Sequence, residues 1–143
     1  MPGNPAPLLQ GISPEGKVFS LNDFKGKVIF IDIWATWCGP CIEALPHIIE
    51  LQKKFIENKD IVFIFISHDG KEEKWKNYLS SHPEFKGVHL MAREEDIKFE
   101  REWKVNGIPR YILIDKQGKI IDAFARKLSD EQLKKVIEQA LLK

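Results

Sequence analysis

The sequence predicts an α/β fold, a central mixed β-sheet flanked by helices, and three observations carry that prediction. Two runs rich in β-branched and aromatic residues, Val28-Ile29-Phe30-Ile31-Asp32-Ile33-Trp34 and Ile61-Val62-Phe63-Ile64-Phe65-Ile66, read as strands covered on both faces. Between them Cys41, Ala44, Leu45, Ile48 and Ile49 recur at helical spacing, so strand, helix and strand form a parallel βαβ unit. Later, Tyr111-Ile112-Leu113-Ile114-Asp115 and the stretch Ile120 to Ala125 bracket Lys116-Gln117-Gly118-Lys119, which reads as an antiparallel hairpin with a short Gly-containing turn.

The other elements follow in chain order. The first 27 residues are rich in Pro and Gly, and Leu8-Leu9 and Val18-Phe19 flank the turn signal Ser13-Pro14-Glu15-Gly16-Lys17, so a small N-terminal β-hairpin is expected. The helix after the cysteines runs toward Phe55 and is interrupted by Pro46, which removes one backbone donor and favours a kink. Trp75, Tyr78 and Leu79 mark a short amphipathic helix after the Asp69-Gly70 turn. Residues 82 to 107 are less regular, with a strand near Val88 to Met91 and a helix from about Glu94 to Trp103. The last helix starts at Ser129, with Gln132 as its capping-box partner, and buries Leu133, Val136, Ile137, Ala140 and Leu141.

All 143 residues fit one domain able to bury a single core. The 22 Lys and Arg against 21 Asp and Glu leave a formal charge of +1, with no basic block to attract nucleic acid or an anionic membrane. The longest apolar runs are far short of the roughly 20 residues that a membrane helix needs. No charged segment, apolar stretch and cleavage site precede Pro5, so no export signal is visible.

The chemistry lies in Trp37-Cys38-Gly39-Pro40-Cys41, which holds the only two cysteines. A thiol opening a helix faces unpaired backbone N–H groups and the positive end of the helix dipole, which favour thiolate over thiol. A free cysteine titrates near about 8.5 and such settings lower it, so Cys38 becomes a nucleophile toward disulfides near neutral pH. Half a zinc site is the bland alternative, but no second CxxC exists and His47, His68, His82 and His89 show no paired ligand spacing, so no metal is expected. A permanent structural disulfide is disfavoured too, because so short a loop constrains the unfolded chain little. The pair therefore reads as a dithiol-disulfide couple needing no other cofactor.

The strand, the CxxC helix, the second strand and a later hairpin introduced by Gly107-Ile108-Pro109 together resemble the thioredoxin superfamily. Leu21-Asn22-Asp23-Phe24-Lys25-Gly26-Lys27-Val28 leading into Trp34-Ala35-Thr36-Trp37-Cys38-Gly39-Pro40-Cys41 is similar to the TlpA/ResA-like branch of exported bacterial thioredoxins. The resemblance implies a thioredoxin-like fold with residues 1–27 as an N-terminal extension and a helix-containing insertion within about 68–104. It also implies that Pro109 is a cis-proline facing the disulfide and that Ile108 lends backbone groups to an extended substrate segment, with Trp37 adding an apolar docking surface. Gly39-Pro40 matches reducing thioredoxins and implies a low potential, hence reduction of protein disulfides by a monomer supplied with electrons by another thiol protein or a membrane reductant. The implied location is the periplasm or cell envelope, with a leader or anchor outside these residues, although one cysteine pair fits the cytoplasm as well.

Asp32 lies inside an apolar strand six residues before Cys38, where an unpaired carboxylate is costly. Thioredoxin is similar, with a buried aspartate thought to exchange a proton with the second cysteine. Burial raises the pKa, so Asp32 is expected to accept a proton from Cys41; a solvated carboxylate on an open strand face is the alternative. The branch often carries a helix glutamate three residues after the second cysteine, where this chain has Ala44, and Glu43, about 100° around the helix, faces solvent. No lysine occurs between Ile61 and Ile66 to pair with Asp32. Arg110 is read either as a groove-rim residue favouring acidic partners or as a solvated strand residue, and Trp34, Trp75 and Trp103 as packing residues. Two rival functions stay open: an oxidase or isomerase using the same cysteines, and a non-catalytic binding module.

Overall fold

The computed structural model describes residues 3–7 and 9–143. Among them, seven strands form one mixed sheet in the order β2-β1-β5-β4-β3-β6-β7. At its centre β3 (Val28–Trp34) and β4 (Ile61–Ser67) are parallel, Val28 opposite Ile61, joined by helix α1 (Gly39–Lys53). β5 (Val88–Met91) adds in parallel to β4, after helix α2 (Glu72–Ser81). On the other side of β3, β6 (Arg110–Ile114) and β7 (Ile120–Asp122) form the antiparallel hairpin. Gly118 (φ +80°) supplies the left-handed turn residue there, and Asp115 Oδ1 accepts hydrogen bonds from the N–H groups of Gln117 and Lys119.

The N-terminal hairpin is β1 (Gln10–Ile12) with β2 (Val18–Ser20), and Ile12 pairs with Met91 to join it to the main sheet. That edge requires a glycine, because a Cβ on Gly11 would lie 2.8 Å from the Met91 carbonyl oxygen. Leu9 is buried just before β1, whereas Leu8, expected on the same arm, lies outside the described residues.

Strand alternation divides the core between two layers. Val28, Phe30 and Trp34 face α1, Trp75 of α2 and the final helix α4 (Asp130–Leu141). Ile29, Ile31 and Ile33 face a second layer with Leu9, Phe99 and Trp103, the last two from helix α3 (Lys98–Glu102) and its end. The three tryptophans read as packing residues are all buried. α4 begins at the expected cap: Ser129 Oγ accepts from Gln132 N–H at 3.1 Å and Gln132 Oε1 from Ser129 N–H at 2.8 Å. α1 runs through Pro46 without a break.

Two expected elements differ. The helix expected over 94–103 is split into a 3-10 turn (Glu94–Asp96) and the short α3, because Asp96 turns its buried carboxylate back onto Arg93 N–H (3.0 Å) and guanidinium (2.7 Å) and onto Gln10 (2.9 Å). The strand expected to reach Ala125 stops at Asp122, whose Oδ1 accepts the Phe124 N–H at 2.8 Å and turns the chain into a 3-10 turn (Ala125–Lys127). No helix among the described residues is long and apolar enough to cross a membrane.

Candidate active site

β3 ends at Trp34, and the chain turns through Ala35-Thr36-Trp37 before α1 begins. Cys38 is the N-cap of α1 with extended backbone (φ −93°, ψ 105°), and Cys41 stands in the first turn. The two are joined as a disulfide with a Cα separation of 5.3 Å. Cys38 Sγ accepts the Cys41 N–H at 3.2 Å, so one of the otherwise unpaired donors of the helix N-terminus is aimed at that sulfur. A thiolate there gains from this donor and from the helix dipole.

Both cysteines are nearly buried, Cys38 at 6 % and Cys41 at 2 % exposure, whereas Trp37 is 63 % exposed and Gly39 and Pro40 lie open to solvent. Nothing lies within 4 Å of where a Cβ on Gly39 would stand, so the approach over the helix end is clear. The Ile108–Pro109 peptide is cis, and the Ile108 carbonyl oxygen lies 3.9 Å from Cys38 Sγ. The loop before β6 therefore reaches the disulfide from the β6 side of β3.

Asp32 is 2 % exposed and shares the sheet face of Phe30 and Trp34, the face whose core cluster contains both cysteines. Phe65 of β4 and Tyr111 of β6 stand opposite it in register. Its Oδ1 has no hydrogen-bond partner among the described residues. Burial pushes its carboxyl up to about 8, opposed by the positive charge of Arg126 in the turn before α4. The Tyr111 hydroxyl is pushed up as well, by burial and then by the neighbouring Asp32.

Arg110 is neither a rim residue nor solvated. It is 6 % exposed; its Nε donates to the Ala123 carbonyl at 2.6 Å, its Nη1 to the Lys104 carbonyl at 3.1 Å, and its guanidinium stacks over Phe124 at 3.8 Å. It ties the segment before the cis-proline to the end of β7, so acidic partners cannot be selected through it. Arg110→Ala is expected to destabilise the fold by about 2 kcal/mol or more through two lost charge-assisted bonds and the lost stacking. Urea unfolding checks this; a loss below about 0.5 kcal/mol, the size of an ordinary surface substitution, would contradict it.

A second element escapes the sequence reading. Asp69, which the Asp69-Gly70 turn signal marks only as a turn residue, accepts the Thr36 N–H at 3.0 Å and the hydroxyls of Thr36 and Ser67. It clamps the loop carrying Trp37 and Cys38 to the end of β4. Thr36 and Asp69 are 33 positions apart, and only the parallel pairing of β3 with β4 brings them together. Glu43 is exposed, and among the described residues no group of three His, Cys, Asp or Glu could hold a metal ion.

A mixed sheet with a disulfide at the N-terminus of the helix after its central strand, faced by a cis-proline loop, defines a thioredoxin-like protein built around a dithiol-disulfide couple. The thioredoxin-like family profile matches residues 26–120. A thiol-disulfide oxidoreductase ResA of Bacillus cereus is 33% identical over 137 residues, spanning 96% of this chain and 77% of that protein. Among solved structures, a candidate thiol-disulfide oxidoreductase of Bacteroides vulgatus is 41% identical with a TM-score of 0.85, over 98% of this chain and 96% of the other. The thioredoxin domain of another Bacteroides vulgatus thiol-disulfide oxidoreductase is 28% identical with a TM-score of 0.83, over 97% and 96% of the two chains. The chain belongs to the thioredoxin-like family, among its thiol-disulfide oxidoreductases.

Proposed function

We propose that this protein reduces disulfides in other proteins, with Cys38 as attacking nucleophile, Cys41 as resolving thiol and Asp32 as proton acceptor. The observation that carries the reading is a carboxylate with an unpaired oxygen, buried on the same sheet face as a disulfide whose first sulfur caps a helix. In the dithiol form, Cys38 thiolate attacks one sulfur of the client disulfide; that bond breaks, a client thiolate leaves, and a Cys38–client mixed disulfide forms. Cys41 then gives its proton to Asp32 and attacks Cys38 Sγ, releasing the second client thiolate and closing Cys38–Cys41. Two electrons pass to the client, and the two client thiolates take up two protons.

Ile108 and Pro109 hold the client segment beside the sulfurs, Trp37 offers it an apolar face, and Gly39-Pro40 favours the reducing direction. The redox couple is the protein's own, so turnover requires only an external dithiol donor, in solution or at a membrane. An extracytoplasmic setting and a monomeric enzyme complete the reading. Its test is the reduction potential of the Cys38–Cys41 couple, by equilibration with glutathione or dithiothreitol buffers. The expected value lies nearer thioredoxin's, about −270 mV, than the about −120 mV of a strong oxidase; a value at the oxidising end would reverse the proposed direction.

A further inference from the structure

A cleft of about 550 Å³ opens beside Trp37 on the side of β3 away from Ile108-Pro109. Its other walls come from the segments that follow β4 and β5, within residues 68–97. The lining is apolar where it is deepest and acidic at the edge. Met91 is buried, while Trp37 and Ile97 are 63 % and 45 % exposed, two large apolar side chains left in water around one hollow.

The charges there do not cancel. Arg93 is held by the buried Asp96 at 2.7 Å, Glu72 is paired with Lys76 at 2.6 Å, and His68 with Glu100. Glu94 has no ion-pair partner among the described residues, and Asp69 receives only neutral donors, from Thr36 and Ser67. The cleft therefore keeps a negative edge over an apolar floor, and the Asp69 clamp on Thr36 holds the backbone next to Trp37, which lowers the ordering cost of binding. A client cysteine bonded to Cys38 has its flanking residues about 3.5 Å apart along the chain, so a residue or two away they reach past Trp37.

We propose that this cleft is a client-specificity site that takes an apolar side chain, next to a lysine or arginine, from the polypeptide joined to Cys38. The proposal rests on the reductase reading, and it places a second point of recognition across the disulfide from Ile108-Pro109. The test follows oxidation of the dithiol protein, freed of reductant, by two peptide–glutathione mixed disulfides, one with leucine and lysine beside the cysteine and one with serine and glutamate. The expected rate constant is about tenfold or more higher for the leucine-lysine peptide, with the gap narrowing as salt rises. Ile97→Ser and Glu94→Lys, both at exposed positions, should each cut that preference to about threefold or less. Bis(2-hydroxyethyl) disulfide, uncharged and too small to fill the cleft, should oxidise wild type and variants at equal rates. Equal rates for the two peptides, or a preference intact in both variants, overturns the cleft while the small disulfide still reacts. Failure of the small disulfide to oxidise the wild-type dithiol overturns the reductase reading and the cleft with it.

Discussion

Cys38→Ser is expected to bring disulfide reduction down to the rate without protein, and Cys41→Ser to stop it half-way as a stable Cys38–client adduct. The chain has no third cysteine, so no other sulfur can take over either role. The asymmetry comes from the helix end: Cys38 caps α1 with the Cys41 N–H aimed at its sulfur, while Cys41, at 2 % exposure against 6 %, is the more deeply buried of the two. Neither variant should unfold, because the loop closed by the disulfide is short and holds back little chain entropy. Non-reducing mass spectrometry after addition of a disulfide-bonded client should show a client-sized increment on Cys41→Ser and none on Cys38→Ser. Turnover above background in Cys38→Ser would rule out this order of attack.

Asp32→Asn is expected to make the protein more stable and a worse catalyst at once. Asp32 is raised to about 8 in the fold, against about 3.9 in an unfolded chain. Between those values the folded state holds a proton that the unfolded state has lost, so the contribution of Asp32 to stability is full below about pH 4. It falls as pH rises, by at most about 1.4 kcal/mol per pH unit, and levels off above pH 8. Asparagine has the same shape and no charge to desolvate, so the variant should gain about 2 kcal/mol or more over wild type at pH 8 and nearly nothing at pH 4. Chemical denaturation at the two pH values measures the difference; a gain independent of pH would show that Asp32 is not proton-linked to folding. In catalysis the loss should fall on resolution of the mixed disulfide, about 100-fold near neutral pH, with wild-type resolution speeding up as pH rises through about 8. A first attack by Cys38 slowed as much as the second step would assign Asp32 a different role.

The two effects have one cause. A carboxylate facing Phe65 and Tyr111 across the sheet, with one oxygen unpaired, costs stability whenever it is ionised, and that cost makes it a base able to take a thiol proton. The chain supplies no cation from β4, and Arg126, from the turn before α4, only moderates the rise.

Much of this arrangement was legible in the residues. The apolar runs of β3 and β4, the helical spacing between them and the Gly118 turn follow from local periodicity and turn chemistry, which act over a few residues and leave a pattern in the chain. The cysteine pair and Asp32 were legible for the same reason: one sits where a helix must begin, the other breaks an apolar strand. The split of the helix near Asp96 was not, since a carboxylate that reaches back to Arg93 and across to Gln10 leaves no periodic trace. The burial of Arg110 leaves no trace in the sequence either, because its acceptors are the carbonyls of Lys104 and Ala123, which any sequence possesses.

By itself, then, the sequence determined the order of strands and helices, the redox pair at a helix start and the buried acid in the strand before it, because each rests on the physics of neighbouring residues. Only the tertiary structure decided what surrounds that pair. The Ile108 carbonyl 3.9 Å from Cys38, the Asp69 clamp on Thr36 and the acidic cleft beside Trp37 are all contacts between segments tens of residues apart, fixed by the pairing of strands rather than by any local preference.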